Sequence, residues 1–184
     1  MASSSFQIKE LNLPGVLLLQ PKRYDDARGF FVETFHHDAL AAAGIADVFV
    51  QDNLSYSKKN VLRGLHFQKK PHAQAKLVRC VSGEIYDVAA DHNPDSATFG
   101  RHIAVTLSGE TQAMLYIPAI YAHGFCVLSD DALVEYKVDD YYHPESAHGV
   151  RYNDPVFAIA WPVRDLILSE QDMKWPLLAP VRDY

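Results

Sequence analysis

Lys76-Leu77-Val78-Arg79-Cys80-Val81-Ser82-Gly83-Glu84-Ile85-Tyr86-Asp87-Val88-Ala89-Ala90 decides the architecture. Two alternating runs rich in apolar residues flank Ser82-Gly83. A two-residue connection containing glycine between such runs is a hairpin signal. The stretch predicts strands over Lys76–Val81 and Glu84–Ala90, joined as a hairpin.

The same rhythm continues outward. Towards the C-terminus, strands are predicted at His102–Leu107, Ala113–Ile117, Gly124–Leu128 and Ala132–Val138. Ser108-Gly109 and Ser129-Asp130-Asp131 supply turn chemistry between them. Towards the N-terminus, Leu62–Gln68 and Val48–Asn53 read as strands, Gly29–Phe35 as an aromatic-rich extended segment, and Gly15–Gln20 as a strand closed by Pro21. His37–Ala43 predicts a short helix ended by Gly44, and Asp165–Lys174 a second before Pro176. Many short strands at this spacing predict a mainly β barrel or sandwich. No repeat, low-complexity tract or linker divides the chain, so one domain over residues 1–184 is expected.

Composition excludes several classes of function. Lys and Arg total 17 against 23 Asp and Glu, a net charge of −6. Nucleic-acid binding needs many phosphate-neutralising cations, so a general nucleic-acid binder is not expected. An anionic small ligand remains allowed, because it feels only the field of its own cleft. No apolar run reaches membrane-spanning length and no signal-peptide pattern opens the chain, which predicts a cytoplasmic protein away from membranes. Cys80 and Cys126 sit among apolar neighbours and read as buried thiols.

Several residues could carry chemistry, and each has a plainer reading when taken singly. Alternation along Leu62–Gln68 puts Gly64, His66 and Gln68 on one face and Leu65 and Phe67 on the other. His66 then looks into a polar cavity, or it is a satisfied structural histidine. Lys76 at a strand start is commonly a solvated edge charge. Tyr136, within Leu133-Val134-Glu135-Tyr136-Lys137-Val138, is commonly packing. Phe31 and Glu33 share a face of the Gly29–Phe35 segment, and Gln51-Asp52-Asn53 closes a strand with polar groups that often only form turns.

The ordered set of motifs is more specific than any member. It comprises Arg28-Gly29-Phe30-Phe31-Val32-Glu33, Val50-Gln51-Asp52-Asn53, Asn60-Val61-Leu62-Arg63-Gly64-Leu65-His66-Phe67-Gln68 and Ala75-Lys76-Leu77-Val78-Arg79-Cys80. It continues with Gly83-Glu84-Ile85-Tyr86-Asp87-Val88, Ile117-Pro118, Ala122-His123-Gly124-Phe125, Tyr152-Asn153-Asp154-Pro155 and Trp161-Pro162. From about Pro14 to Leu178 the chain resembles the dTDP-4-dehydrorhamnose 3,5-epimerase family of the cupin superfamily.

That resemblance implies a cupin-type double-stranded β-helix, or jelly-roll barrel, with a few short helices. It implies a homodimer, with N-terminal strands crossing to the partner, and a nucleotide-sugar substrate without cofactor or metal. By the same resemblance His66 is the catalytic base, Asp172 its paired carboxylate, Tyr136 the proton donor and Lys76 the cation near the substrate ketone. Arg28, Phe31, Glu33, Gln51, Asn53, Arg63 and His123 fall on substrate-binding positions, and Tyr142 on an aromatic that stacks on the nucleotide base. Two departures bear on nucleotide contacts. Relatives often carry a Glu soon after the double tyrosine, where this chain reads His143-Pro144-Glu145-Ser146-Ala147-His148, and Gln171 stands where a lysine is common.

The implied reaction is epimerisation at carbons 3 and 5 of a 4-keto-6-deoxyhexose nucleotide. Rival readings are an epimerase acting at carbon 3 alone, a 3,4-ketoisomerase, a metal-dependent cupin and a non-catalytic sugar-nucleotide-binding barrel. The metal rival needs a His-x-His pair, but the chain offers His66-Phe67-Gln68, and a neutral amide is a poor transition-metal ligand. The binding rival has no need of a base together with an acid.

Overall fold

The computed structural model describes residues 5–178. Among these, two antiparallel sheets pack face to face. The six-stranded sheet runs in the order β1 (Phe6–Glu10), β2 (Leu17–Pro21), β10 (Met114–Ile117), β7 (Lys76–Ser82), β12 (Asp131–Val138), β5 (Gln51–Lys58). The five-stranded sheet runs β13 (Ala147–Gly149), β6 (Leu62–Gln68), β11 (Ala122–Val127), β8 (Glu84–Ala90), β9 (His102–Ser108). A separate two-stranded ribbon pairs β3 (Arg23–Asp26) with β4 (Gly29–Val32). Two short helices complete the fold, α1 (His37–Ala42) and α2 (Glu170–Lys174).

Directly opposed residues of an antiparallel ladder share a face. Val78 lies opposite Leu115 and Tyr136, and Ile85 opposite Leu107 and Val127. These residues meet in one core between the sheets, with Val134, Cys80 and Phe125. The outer face of the six-stranded sheet buries Leu77, Met114 and Leu19 under Leu40 of α1 and Ile45. The outer face of the five-stranded sheet buries Leu65, Val88 and Ala122 against Val150 and Phe157. Both sheets are thus covered on the outside as well, giving the cupin-like barrel.

The predicted Lys76–Ala90 hairpin does not form. Its strands are nearly as expected, but β7 pairs with β10 and β12, while β8 pairs with β11 and β9. All four ladder edges are taken, so Gly83 turns the chain from one sheet to the other. Gly83 has φ +81°, and a Cβ there would lie 2.1 Å from the Asp131 carbonyl oxygen. Strand–glycine–strand is the sequence of a sheet-to-sheet corner as well as of a hairpin, and alternation alone cannot separate them.

Other boundaries move for physical reasons. The strand expected at Val48–Asn53 is β5, displaced to Gln51–Lys58. It carries Gln51, Asn53 and Ser55 into the barrel and leaves Leu54 and Tyr56 exposed, the reverse of ordinary amphipathic patterning. The extended segment Gly29–Phe35 shortens to β4. The helix expected over Asp165–Lys174 begins only at Glu170, because Ser169 caps it: its hydroxyl oxygen accepts from the Asp172 N–H at 3.1 Å.

Strict alternation also fails along β6. His66 opposes His123, and Arg63 opposes Phe125, so Gly64 and Leu65 together face the single residue Gly124. This bulge turns Arg63 and His66, three apart, into the same cavity. Gly64 is required here. Its φ is +132°, and a Cβ would stand 2.5 Å from the Cα of Gly124.

Candidate active site

A cavity of about 590 Å³ opens between the two sheets. That volume is ample for a hexose and part of a nucleotide. The five-stranded sheet contributes Arg63, His66 and His123, and the six-stranded sheet contributes Gln51, Asn53, Lys76 and Tyr136. His66 and Tyr136 therefore stand on opposite walls.

His66 shares a 2.5 Å hydrogen bond between its Nε2 and Oδ1 of Asp172. Asp172 is buried, while the His66 side chain remains 45% exposed towards the cavity. The carboxylate arrives because residues 165–169 dock along β6. The Leu62 N–H donates to the Ile167 carbonyl, and the Ile167 N–H to that of Asn60, both at 2.9 Å. Burial pushes the Asp172 carboxyl up, but the hydrogen bond and charge of His66, with hydrogen bonds from Ser169 and Trp175, outweigh it and hold it below the usual carboxylate range. Trp175 stands edge-on to the His66 ring, with centroids 6.3 Å apart.

Lys76 is buried, and its Nζ donates to the His66 carbonyl at 3.3 Å. Burial lowers its pKa to about 8, against the opposing pull of Asp87 and Asp139. Tyr136 is pushed up by burial, with the Arg63 guanidinium opposing. His123 Nε2 lies 2.8 Å from Oδ1 of the fully buried Asp87, whose Oδ2 has no hydrogen-bond partner among the described residues.

The substrate-binding candidates divide into two groups. Gln51, Asn53, Arg63, His123 and Tyr142 line the cavity. Gln51 Nε2 donates to Asn53 Oδ1 at 2.8 Å, and Gln51 Oε1 accepts from the Tyr142 N–H at 3.1 Å. Arg63 Nε donates to Ser57 Oγ at 2.9 Å. Arg28, Phe31 and Glu33, by contrast, do not reach the cavity of their own chain. Arg28 points into solvent against Asp26 at 2.5 Å, and Phe31 is 67% exposed. Both lie on or beside the β3–β4 ribbon, which projects from the barrel with Tyr24 and Phe30 also exposed.

The cavity also contains residues the sequence reading did not select, among them Ser55, Gln74, His148 and Trp175. Ser55 follows Gln51 and Asn53 at period two, a signal that was readable. Trp175 carries no such signal, because only docking of the C-terminal segment brings it beside His66. Gln68, the amide of the metal rival's motif, is committed to backbone. Its Nε2 donates to the carbonyls of His72 at 2.7 Å and Tyr141 at 3.1 Å, and its Oε1 accepts from the His143 N–H at 2.7 Å.

An imidazole backed by a buried carboxylate, an ammonium beside it and a phenol on the facing wall define an enzyme equipped for acid–base chemistry on a sugar-sized ligand. The family model for dTDP-4-dehydrorhamnose 3,5-epimerase matches residues 10–180. The dTDP-4-dehydrorhamnose 3,5-epimerase of Escherichia coli (strain K12) is 51% identical over 159 residues, covering 85% of this chain and 86% of that protein. A crystal structure of dTDP-6-deoxy-D-glucose-3,5-epimerase from Legionella pneumophila Philadelphia 1, in complex with dTDP-4-keto-L-rhamnose, superposes with a TM-score of 0.92 at 44% identity, covering 96% of this chain and 94% of that one. The Bacillus anthracis str. Ames enzyme, solved with TDP and PPi bound, gives 0.91 at 44% identity, with coverage of 94% and 99%. The chain belongs to the dTDP-4-dehydrorhamnose 3,5-epimerase family and is an isomerase.

Proposed function

We propose that the chain converts dTDP-4-dehydro-6-deoxy-D-glucose to dTDP-4-dehydro-L-rhamnose, in the biosynthesis of dTDP-L-rhamnose, with His66 as base and Tyr136 as acid. The observation that carries this reading is the placement of the His66–Asp172 pair and Tyr136 on facing walls, with Lys76 beside His66.

Carbons 3 and 5 flank the ketone at carbon 4, so loss of either proton gives an enolate with its charge on the same oxygen. In a gluco-configured ring both protons are axial on one face, so a single base serves both carbons. His66 takes the proton, and Asp172 orients the ring and stabilises the imidazolium. Lys76 sets positive charge beside the enolate oxygen, where the buried setting strengthens it. Tyr136 delivers its proton to the opposite face and inverts the carbon. Solvent then reprotonates the phenolate and relieves the imidazolium, leaving no net proton change. Arg63, with a rigid and permanently charged guanidinium, suits the diphosphate.

Turnover in heavy water tests the reaction directly. Solvent deuterium is expected at both carbon 3 and carbon 5 of the product, read by NMR after reduction of the ketone. Label confined to carbon 3 would assign the chain to the 3-only epimerases instead. The lowered pKa of Lys76 gives a second expectation. The cation is the useful form, so kcat/KM falls as pH rises through about 8. Lys76→Arg, which stays charged, should flatten that alkaline limb, and an unchanged limb would detach it from Lys76.

The exposed ribbon fits the same reading. Phe30, Phe31 and Tyr24 leave an apolar surface beside Arg28 that the barrel does not cover. In a homodimer the ribbon would cover the partner's cavity and supply Arg28, Phe31 and Glu33 there. Sedimentation should find a dimer, and Arg28→Ala should raise KM with kcat little changed. A monomer at full activity would end this part of the reading.

A further inference from the structure

At the mouth of the barrel, outside the residues that line the cavity, two histidines from different loops lie ring on ring. His72, between β6 and β7, stacks on His143, between β12 and β13, with centroids 3.5 Å apart and planes at 14°. Each ring carries a carboxylate at its Nδ1: Asp140 at 3.0 Å from His72, and Glu145 at 3.2 Å from His143. One donor atom from each of His72, His143 and Glu145 lies within 4.8 Å of the others.

The backbone beneath this cluster is fixed. Buried Gln68 ties the His72 carbonyl to the His143 N–H, and Gln74 Nε2 donates to the Asp140 carbonyl at 2.7 Å. Change at the cluster is therefore confined to side chains. Two imidazoles with carboxylates are a nitrogen-rich set that suits zinc-like ions and not magnesium or calcium, which take oxygen. With the histidines neutral, the four groups carry two negative charges, which a divalent ion cancels.

We propose that His72, His143 and Glu145, with Asp140 behind the first, bind one divalent transition-metal ion of the zinc class. Bonds of about 2.1 Å in a tetrahedral site set ligand atoms about 3.4 Å apart, so the cluster must contract. Glu145 has the freedom to do this, since its side chain is 68% exposed. The rings splay as each turns a nitrogen lone pair towards the ion. The ion clamps the loop carrying Gln74 to the loop carrying Tyr142, both of which line the cavity. It takes no part in proton transfer, so this site and the reaction stand or fall separately.

The test is calorimetric titration of the full-length, chelator-stripped protein with Zn²⁺ alone. One saturable site per chain is expected, with no counterpart for Mg²⁺. His72→Ala and His143→Ala should remove it. Asp140→Asn should weaken it by about 10-fold, the effect of losing a carboxylate that orients a ligand histidine. His36→Ala/His37→Ala, at an exposed pair elsewhere, should leave it intact. Metal-free melting curves establish that each variant folds, and Glu145→Gln at an exposed position decides the matter if the histidine variants do not. No saturable site, or one that survives loss of His72 and His143 but not of His36 and His37, would overturn the proposal.

Discussion

His66→Ala is expected to lower kcat by about 10³-fold or more, within the range associated with removing a positioned general base. Substrate affinity, measured by calorimetry, should change only a few-fold. The diphosphate and base are expected to be held by groups such as Arg63, Gln51 and Tyr142, and the ring of His66 touches none of these in the described hydrogen bonds. The variant should also stop deuterium exchange at carbons 3 and 5, since the other two imidazoles that line this wall, His148 and His123, are held by other partners, His148 through its Nδ1 at 3.0 Å from the Ser146 carbonyl. His123, the neighbouring imidazole, is tied to buried Asp87 at 2.8 Å. Cavity formation is a smaller concern than in a core, because the His66 side chain is 45% exposed and its loss strands only the Asp172 carboxylate. That carboxylate, left buried and without its main partner, should protonate more readily, which costs some stability but leaves the fold. A variant that kept near-wild-type turnover would remove His66 from the mechanism.

The fold class was legible because its signal is repetitive. Short alternating strands separated by glycine and serine turns survive small errors in any one boundary, and β6 and β8 fall where the sequence put them. The pairing was not legible. Gly83 is the clearest case: its local pattern is that of a hairpin, and only the occupied edges of β7 and β8 turn it into a corner between sheets. The bulge at Gly64 escaped for the same reason, since an extra residue in one strand is defined by its partner strand. For the site, alternation carried His66 to the cavity but would have turned Arg63 away from it. His66, Lys76, Tyr136 and Asp172, drawn from distant parts of the chain, were grouped only through the ordered resemblance, because burial of Lys76 and capture of Asp172 are made by tertiary docking. Arg28, Phe31 and Glu33 mark the other limit, as a single chain does not give them a cavity to line.

Tyr136→Phe should separate proton removal from inversion. The substitution deletes one hydroxyl from a ring packed against the core, so folding is preserved. His66, Asp172 and Lys76 remain, and the enolate can still form. Without the phenol, the proton returns from His66 to the face it left. In heavy water the substrate should therefore acquire deuterium at carbon 3 with its configuration retained, while epimer formation falls by about 10²- to 10³-fold, as for loss of a general acid. The uneven environments of the two walls argue for this division. The imidazole faces the cavity with a carboxylate behind it, suited to accepting a proton. The phenol is pushed upward by burial and so holds its proton through the neutral range until an enolate carbon needs it. Two outcomes would break the assignment. Inversion at an undiminished rate would mean that water or another group protonates the far face. Loss of exchange together with inversion would mean that Tyr136 acts in forming the enolate, and the base and acid could no longer be placed on opposite walls.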